Sequence, residues 1–505
     1  MEEYFSSKGC TIKRREGRGR CVEALKTLRA GTLVSRALVD NYTLHPKYWS
    51  TKCYYCLKQI KSASNLRTNW PPVRFCNKSC LDKDAHYKYE KKHLPKLFKL
   101  FQNDQSCVSD LLLLARCLRT FETKKGKETF YQNSFEDLLN MVYQSNDQRT
   151  GHEKIVKAYM ELFQSDVDDH QRVLPEDQLQ NILRRFGCNN FSVTNSLVVS
   201  VAAACVPIGA LLNHSCDPNC VVTYRIMENS DDIIQEIRTV KDVKPGEELC
   251  HPYLDTACTK IDRQRKLKED YNFECQCNRC KSDATHVMLP FALIQEVVVG
   301  MAAISQREIN DEIFQQFAHQ AQTLPVDLEK ALGGDIMSKD LNSKSNKNAR
   351  RDNELKLANV LVEKAAAEDD PDRELKLLLQ CKKVRLKWLH PLNLQNLSVT
   401  NSIMTTALLV NKADMAIASA SRALDVYSCI YNYSHPIIGV THYTLGSIFL
   451  SSEICDPRKA LYHLGAAKNI FTVCHGTDSE AVQNVLAWIK EAQDSCIGQW
   501  ENGDY

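Results

Sequence analysis

Two sets of four cysteines, spaced as ligands for a metal ion, constrain this 505-residue chain more than any other feature. Cys275-Gln-Cys277-Asn-Arg-Cys280 offers three thiols within six residues, three corners of a tetrahedron around Zn²⁺. The fourth corner is assigned to Cys216, inside the stretch ALLNHSCDPNC at 210–220, where Asp217 and Pro218 favour a turn after an apolar run. Cys53-Tyr-Tyr-Cys56 and Cys76-Asn-Lys-Ser-Cys80 form the other set, with the spacing of a zinc ribbon or treble clef. His86 and His93 follow it, but no cysteine pair lies between 56 and 76 to complete a second ion, so one ion is expected there. The two histidines then read as solvated surface residues. Four thiolates leave no open coordination position, so both sites are expected to stabilise structure rather than carry chemistry.

Ligation requires reduced thiols. The opening MEEYFSSKGC has neither the basic start nor the apolar stretch of a signal peptide, and no run reaches the ~18 apolar residues of a membrane span. A cytoplasmic or nuclear protein is expected, in a compartment where disulfide frameworks are rare. Cys117, Cys205 and Cys381, in apolar or helical surroundings, and Cys220, outside both sets, read as small buried hydrophobes. Lys and Arg total 65 against 62 Asp and Glu, so bulk charge gives no argument for nucleic acid or an anionic membrane as partner. The cluster Lys13, Arg14, Arg15, Arg18, Arg20 has no interleaved aromatic platform and reads as a solvated basic face.

The length predicts two to four domains. Residues 1–52 are β-leaning, with turns at the glycines of EGRGR; 53–93 carry the first cysteine set and dense lysine. Residues 94–186 show apolar residues at helical spacing, as in Leu111, Leu112, Ala115, Leu118. From 187 to 255 β-branched runs return, CVVTYRI and IIQEIRTV, parted by MENSDD and followed by the turn KPGEE. Strands thus flank a helical insertion, and the amino-terminal and middle segments are expected to fold together. Residues 256–283 hold Cys275, Cys277 and Cys280 of the second cysteine set. From 284 to 505 the pattern is helical, broken by a polar linker near 334–353. His390-Pro391 and His435-Pro436 each precede an apolar helix, a turn and an Ala-rich helix (Ala416 to Ala423; Ala460 to Ala467), a period that suits stacked helix pairs.

Gly17-Arg18-Gly19, the first cysteine module, NHSCDPN, GEEL followed by PYLD, and YNFECQCNRC occur here in one order. That combination resembles the SET and MYND family of protein lysine methyltransferases. The resemblance implies an α+β architecture: a SET β-fold split by a zinc-binding MYND module and a helical insertion, a post-SET zinc site, and an all-α tetratricopeptide-like carboxy-terminal domain. It implies S-adenosylmethionine as cofactor, two structural zinc ions, and a lysine-bearing histone or other protein as substrate. Protein partners are expected at the helical domain, neither nucleic acid nor membrane being called for. Gly17, Arg18 and Gly19 resemble the motif whose backbone lies against the methionine part of the cofactor. Asn189 and Phe191 resemble its adenosyl-contacting and lysine-channel positions, and Asn213 and His214 the pair that binds its amino group and ribose. Tyr253 resembles the catalytic tyrosine and also a cofactor contact; Tyr271 and Phe273 resemble the aromatics walling the lysine channel, Phe273 also touching cofactor. Cys216, Cys275, Cys277 and Cys280 match the post-SET ligands.

Three departures stand out. The family's MYND module usually binds two ions, and here its inner cysteine pair and closing His/Cys pair are missing or displaced. Arg18 and Arg20 replace the usual Asn and Leu of the glycine motif. His251-Pro252 precedes Tyr253 where a small or apolar pair is common, and Pro removes a backbone donor. An alternative reading therefore stands beside the enzyme: a catalytically weak adaptor binding partners through its helical repeats. A third, Cys216 as a nucleophile activated by His214, is disfavoured, because catalytic dyads are assembled across a fold and a zinc-bound thiolate is not free to attack.

Overall fold

The computed structural model describes residues 1–60, 66–68, 73–102, 104–120, 130–143, 151–164, 172–227, 231–281, 344–389 and 393–502. The chain divides into two compact units, one drawn from Met1–His214, Pro218–His251 and Lys266–Phe273, the other from Ser215–Asp217, Pro252–Arg265 and Glu274–Tyr505.

In the first unit β1 (Cys10–Arg15) and β2 (Gly19–Ala24) form an antiparallel hairpin. Its turn closes through Arg18 N to Arg15 O at 3.2 Å, with Gly17 at φ 71°, where a side chain would be strained. There follow β3 (Leu33–Leu38) and β4 (Asn41–Leu44), then the short ribbon of β5 (Leu66–Arg67) and β6 (Arg74–Phe75). Beyond the helices come β7 (Asn190–Thr194), β8 (Ser200–Cys205), β9 (Asn213–His214), β10 (Cys220–Ile226), β11 (Ile233–Thr239) and β12 (Cys250–His251). Two three-stranded sheets result, in the orders β10-β11-β3 and β4-β8-β7. Each takes one strand from the first fifty residues and two from beyond 189, across the helices between. Central β11 buries Glu236, a carboxylate tolerated because Arg36 of β3 (3.0 Å), Arg238 (3.2 Å) and Arg225 of β10 (3.7 Å) surround it.

The helix Gln105–Thr120 packs on β4 and β8, and Leu111 through Leu114 and Leu118 are all buried. A helix apolar on most sides is what a core position requires. Cys117, Cys205 and Cys220 are buried as expected.

Among the described residues of the second unit from Lys344 onward, seven helices succeed one another: Lys344–Ala366, Pro371–Trp388, Leu394–Leu409, Ala413–Ile430, Pro436–Phe449, Pro457–His475 and Glu480–Asn502, each packing on the next. Cys381 is buried among them. Asp370, His435 and Asp456 cap helices that begin with proline, whose missing N–H is harmless at a first turn. A Cβ on Gly446 would stand 2.6 Å from Leu464 Cγ, so the helices Pro436–Phe449 and Pro457–His475 approach too closely there for a side chain. The linker expected near 334–353 is helical from Lys344 onward, where Lys344, Lys347, Ala349, Arg350 and Arg351 are good helix formers whatever their polarity. Residues 334–343, the rest of 284–343, and His390-Pro391 lie outside the described residues.

Candidate cofactor site and zinc centres

The hairpin turn, β9 and the GEEL segment meet around one amide. Asn213 Nδ2 donates to Glu248 Oε1 at 2.8 Å, to Arg20 O at 3.1 Å and to Arg18 O at 3.4 Å. Glu248 is 7% exposed and also accepts from Arg18 NH1. Its neighbour Glu23, bridged to it backbone to backbone, pairs with Lys13 (2.9 Å) and Arg15 (2.7 Å). The Lys13 hydrogen bond, against the opposing effect of burial, holds the Glu23 carboxyl below its usual range. The basic face is thus not simply solvated: three of its five cations end on two buried carboxylates, a pairing hidden in sequence because Arg18 and Glu248 are so far apart in the chain.

Next to this amide, β9 and β12 run parallel, Asn213 beside Cys250 and His214 beside His251. Asn219 ties the segment down, its amide nitrogen donating to Glu248 O and its oxygen accepting from Cys250 N, both at 2.8 Å. The His214 ring lies 5.9 Å from that of Phe273, which is 6.4 Å from Tyr271. Phe191 stacks on His251 at 5.5 Å, and His251 is buried. Asn189, at the end of the helix Glu176–Asn189, spends its amide nitrogen on Val142 O (2.7 Å) and Arg185 O (2.8 Å). Tyr253 follows β12 by two residues and belongs to the second unit; there Asp255 accepts a hydrogen bond from the Tyr431 hydroxyl. Sequence reading singled out the glycines, Asn213, His214 and the aromatics, and missed Glu248 and Glu23. GEEL was noticed as a motif, but nothing in it said which carboxylate faces inward.

Gly17 and Gly19 both have positive φ, and a Cβ on either would meet nothing within 4 Å. Open space beside a left-handed glycine turn lets a ligand lie against backbone, and the Asn213 amide stands next to it; these residues leave room for the amino acid end of S-adenosylmethionine, the cofactor that the resemblance implies.

Among the described residues, Cys53, Cys56, Cys76 and Cys80 form one cluster and Cys216, Cys275, Cys277 and Cys280 another, the sulfurs of each within 4.8 Å of one another. Two pairs stand at 3.6 Å, Cys56 with Cys76 and Cys216 with Cys280, against about 3.8 Å for the edge of a tetrahedral Zn–thiolate site. Each cluster holds one thiol at about pH 5: Cys53 through hydrogen bonding from Cys56, Cys277 through hydrogen bonding from Cys216. Soft thiolate donors in this geometry fit zinc. Around the second cluster Gln264 clasps Cys275 through both its N–H and C=O, each at 2.9 Å.

His86 and His93 do not sit on the surface. His93 is 8% exposed, its ring 4.4 Å from Phe163, and burial pulls its pKa down to about 4; His86 is half-buried and pulled to about 3. Nearby, Arg116 makes a bidentate pair with buried Glu90, 2.7 Å on each arm, and Tyr54 adds its hydroxyl to the same carboxylate at 3.0 Å. The module is packed around an ion pair as well as its thiol cluster.

The SET domain family model matches residues 115–254, the stretch that carries β7 through β12. Histone-lysine N-methyltransferase SMYD3 of Homo sapiens is 23% identical over 496 residues, covering 97% of this chain and 98% of that protein. The Mus musculus SMYD3 is 23% identical over 94% of this chain and 95% of its own, and N-lysine methyltransferase SMYD2 of Homo sapiens 26% over 52% and 58%. The chain thus carries a match to the SET domain, and over nearly its whole length it is similar to lysine methyltransferases of the SET and MYND family.

Proposed function

We propose that the protein is an S-adenosylmethionine-dependent lysine N-methyltransferase acting on a histone or another protein. The observation that carries this reading is the parallel pairing of Asn213-His214 with Cys250-His251, which sets the expected cofactor-binding pair beside the strand leading to Tyr253. S-adenosylmethionine, when bound, supplies an electrophilic methyl group on sulfur. The protein's residues must strip the lysine ammonium of its proton and hold the amine in line. Phe191, Tyr271 and Phe273 wall the lysine channel, and desolvation among aromatic rings disfavours the charged amine. The Tyr253 hydroxyl orients the amine lone pair toward the methyl group, and the proton leaves to water, so no general base is needed. The eight cysteines hold two structural zinc ions. The helix pairs of the second unit resemble degenerate tetratricopeptide repeats and offer a surface for protein partners.

Methylation of a protein extract with labelled cofactor tests this reading. The native protein is expected to label lysines, and Tyr253→Phe to abolish labelling by at least a hundredfold with zinc content unchanged. A native protein that binds S-adenosylmethionine in calorimetry yet labels nothing would leave the adaptor reading in its place.

A further inference from the structure

We infer that Glu248 is a positioning residue for the amino acid end of the cofactor, working through Asn213 and Arg18. The inference rests on the methyltransferase reading and extends it to Glu248, which the resemblance gives no role, and to the Arg18 side chain.

A side-chain amide has two ends of nearly equal size, and its neighbours decide which is nitrogen. Here Glu248 Oε1 and the carbonyls of Arg20 and Arg18 all lie on one side of Asn213, so the nitrogen is held there and the oxygen faces away from them. That oxygen is an acceptor suited to an ammonium. Glu248 is the nearest and the only charged member of the trio, and it is itself fixed, its own carbonyl bonded to Asn219. Its other oxygen takes Arg18 NH1. A guanidinium has five N–H donors, and this contact uses one nitrogen, leaving donors on a side chain that is 40% exposed beside the open glycine turn. Arg18 is thereby aimed and still able to pair with a carboxylate. One buried acid thus sets an acceptor for the ammonium and a donor for the carboxylate, the two charges of an α-amino acid. The departure of Arg18 from the usual asparagine belongs to this arrangement rather than to decay.

The test compares two ligands of the full-length zinc-loaded protein by calorimetry. S-adenosylhomocysteine carries the amino acid end; 5′-methylthioadenosine keeps the nucleoside and sulfur without it. Glu248→Gln is expected to weaken S-adenosylhomocysteine about tenfold and leave 5′-methylthioadenosine unchanged. Arg18→Gln, at a half-exposed position, is expected to give the same split, with melting temperature and zinc content reporting intact folding. Equal losses for both ligands, or none, in the two variants would overturn the inference. A native protein that binds neither ligand would instead remove the cofactor site itself, and the inference with it.

Discussion

Glu90 and Arg116 meet where neither reaches water: 1% and 2% of their side chains are exposed. Burial pushes the Glu90 carboxyl up, and Arg116 with the Tyr54 hydroxyl more than reverses this, holding it below its usual range. Removing one partner of such a pair leaves an uncompensated buried charge. Glu90→Ala is therefore expected to cost about 3–5 kcal/mol, read from urea unfolding of the zinc-loaded protein. Glu90→Leu combined with Arg116→Met should recover most of that loss, since two apolar groups desolvate cheaply. Neither partner was legible as such in the sequence. Arg116 lies in the run LLLLARCLRT, where a helical pattern says only that it interrupts an apolar face, and Glu90 lies among lysines that look like its natural partners. The zinc ligands were legible because metal spacing is local; Glu248 with Arg18 was not, because the pairing exists only once β2 and the GEEL segment are bridged.

The helix Pro436–Phe449 shows how one cap makes an element sensitive to acid. His435 Nδ1 accepts from Ile437 N at 3.2 Å, and its ring stacks on Tyr431 at 3.9 Å. An accepting Nδ1 needs a neutral imidazole, and burial pulls the His435 pKa down to about 4. The unfolded chain, with an ordinary histidine near 6.5, takes up the proton first as pH falls. The stabilisation is thus full above about pH 6.5 and is lost progressively toward pH 4. Helical circular dichroism should show a lower melting temperature at pH 5 than at pH 7.5, and His435→Asn, which keeps a cap acceptor, should narrow that difference. The narrowing is partial, because buried His442, 2.9 Å from His463, is also pulled to about 4. The start of this helix was legible from His-Pro, as were β10 and β11 from their β-branched runs. The helix from Lys344 was not, because its opening turns are polar all round and periodicity has nothing to register.

For the molecule as a whole, two thiol clusters predict two zinc ions per chain rather than three. Elemental analysis of protein purified without added metal should give a ratio of two, and Cys80→Ser and Cys280→Ser should each lower it to one. Because ligation contributes to folding, a strong chelator should lower the melting temperature at neutral pH. Among the described residues no helix is long and apolar enough to cross a membrane.

The sheet orders carry one consequence for biosynthesis. β3 pairs with β11, Leu38 facing Ile234, and β4 with β8, Asn41 facing Cys205. Both early strands leave the ribosome about 160 to 200 residues before their partners, a wait of roughly ten to forty seconds at 5–20 residues per second. Throughout it their edges stay open to other chains, while the β1/β2 hairpin and the β5/β6 ribbon can close locally without them. The nascent chain is thus most exposed to misassembly before residue 239 emerges, and a chaperone that shields strand edges would matter more in that interval than at any later point.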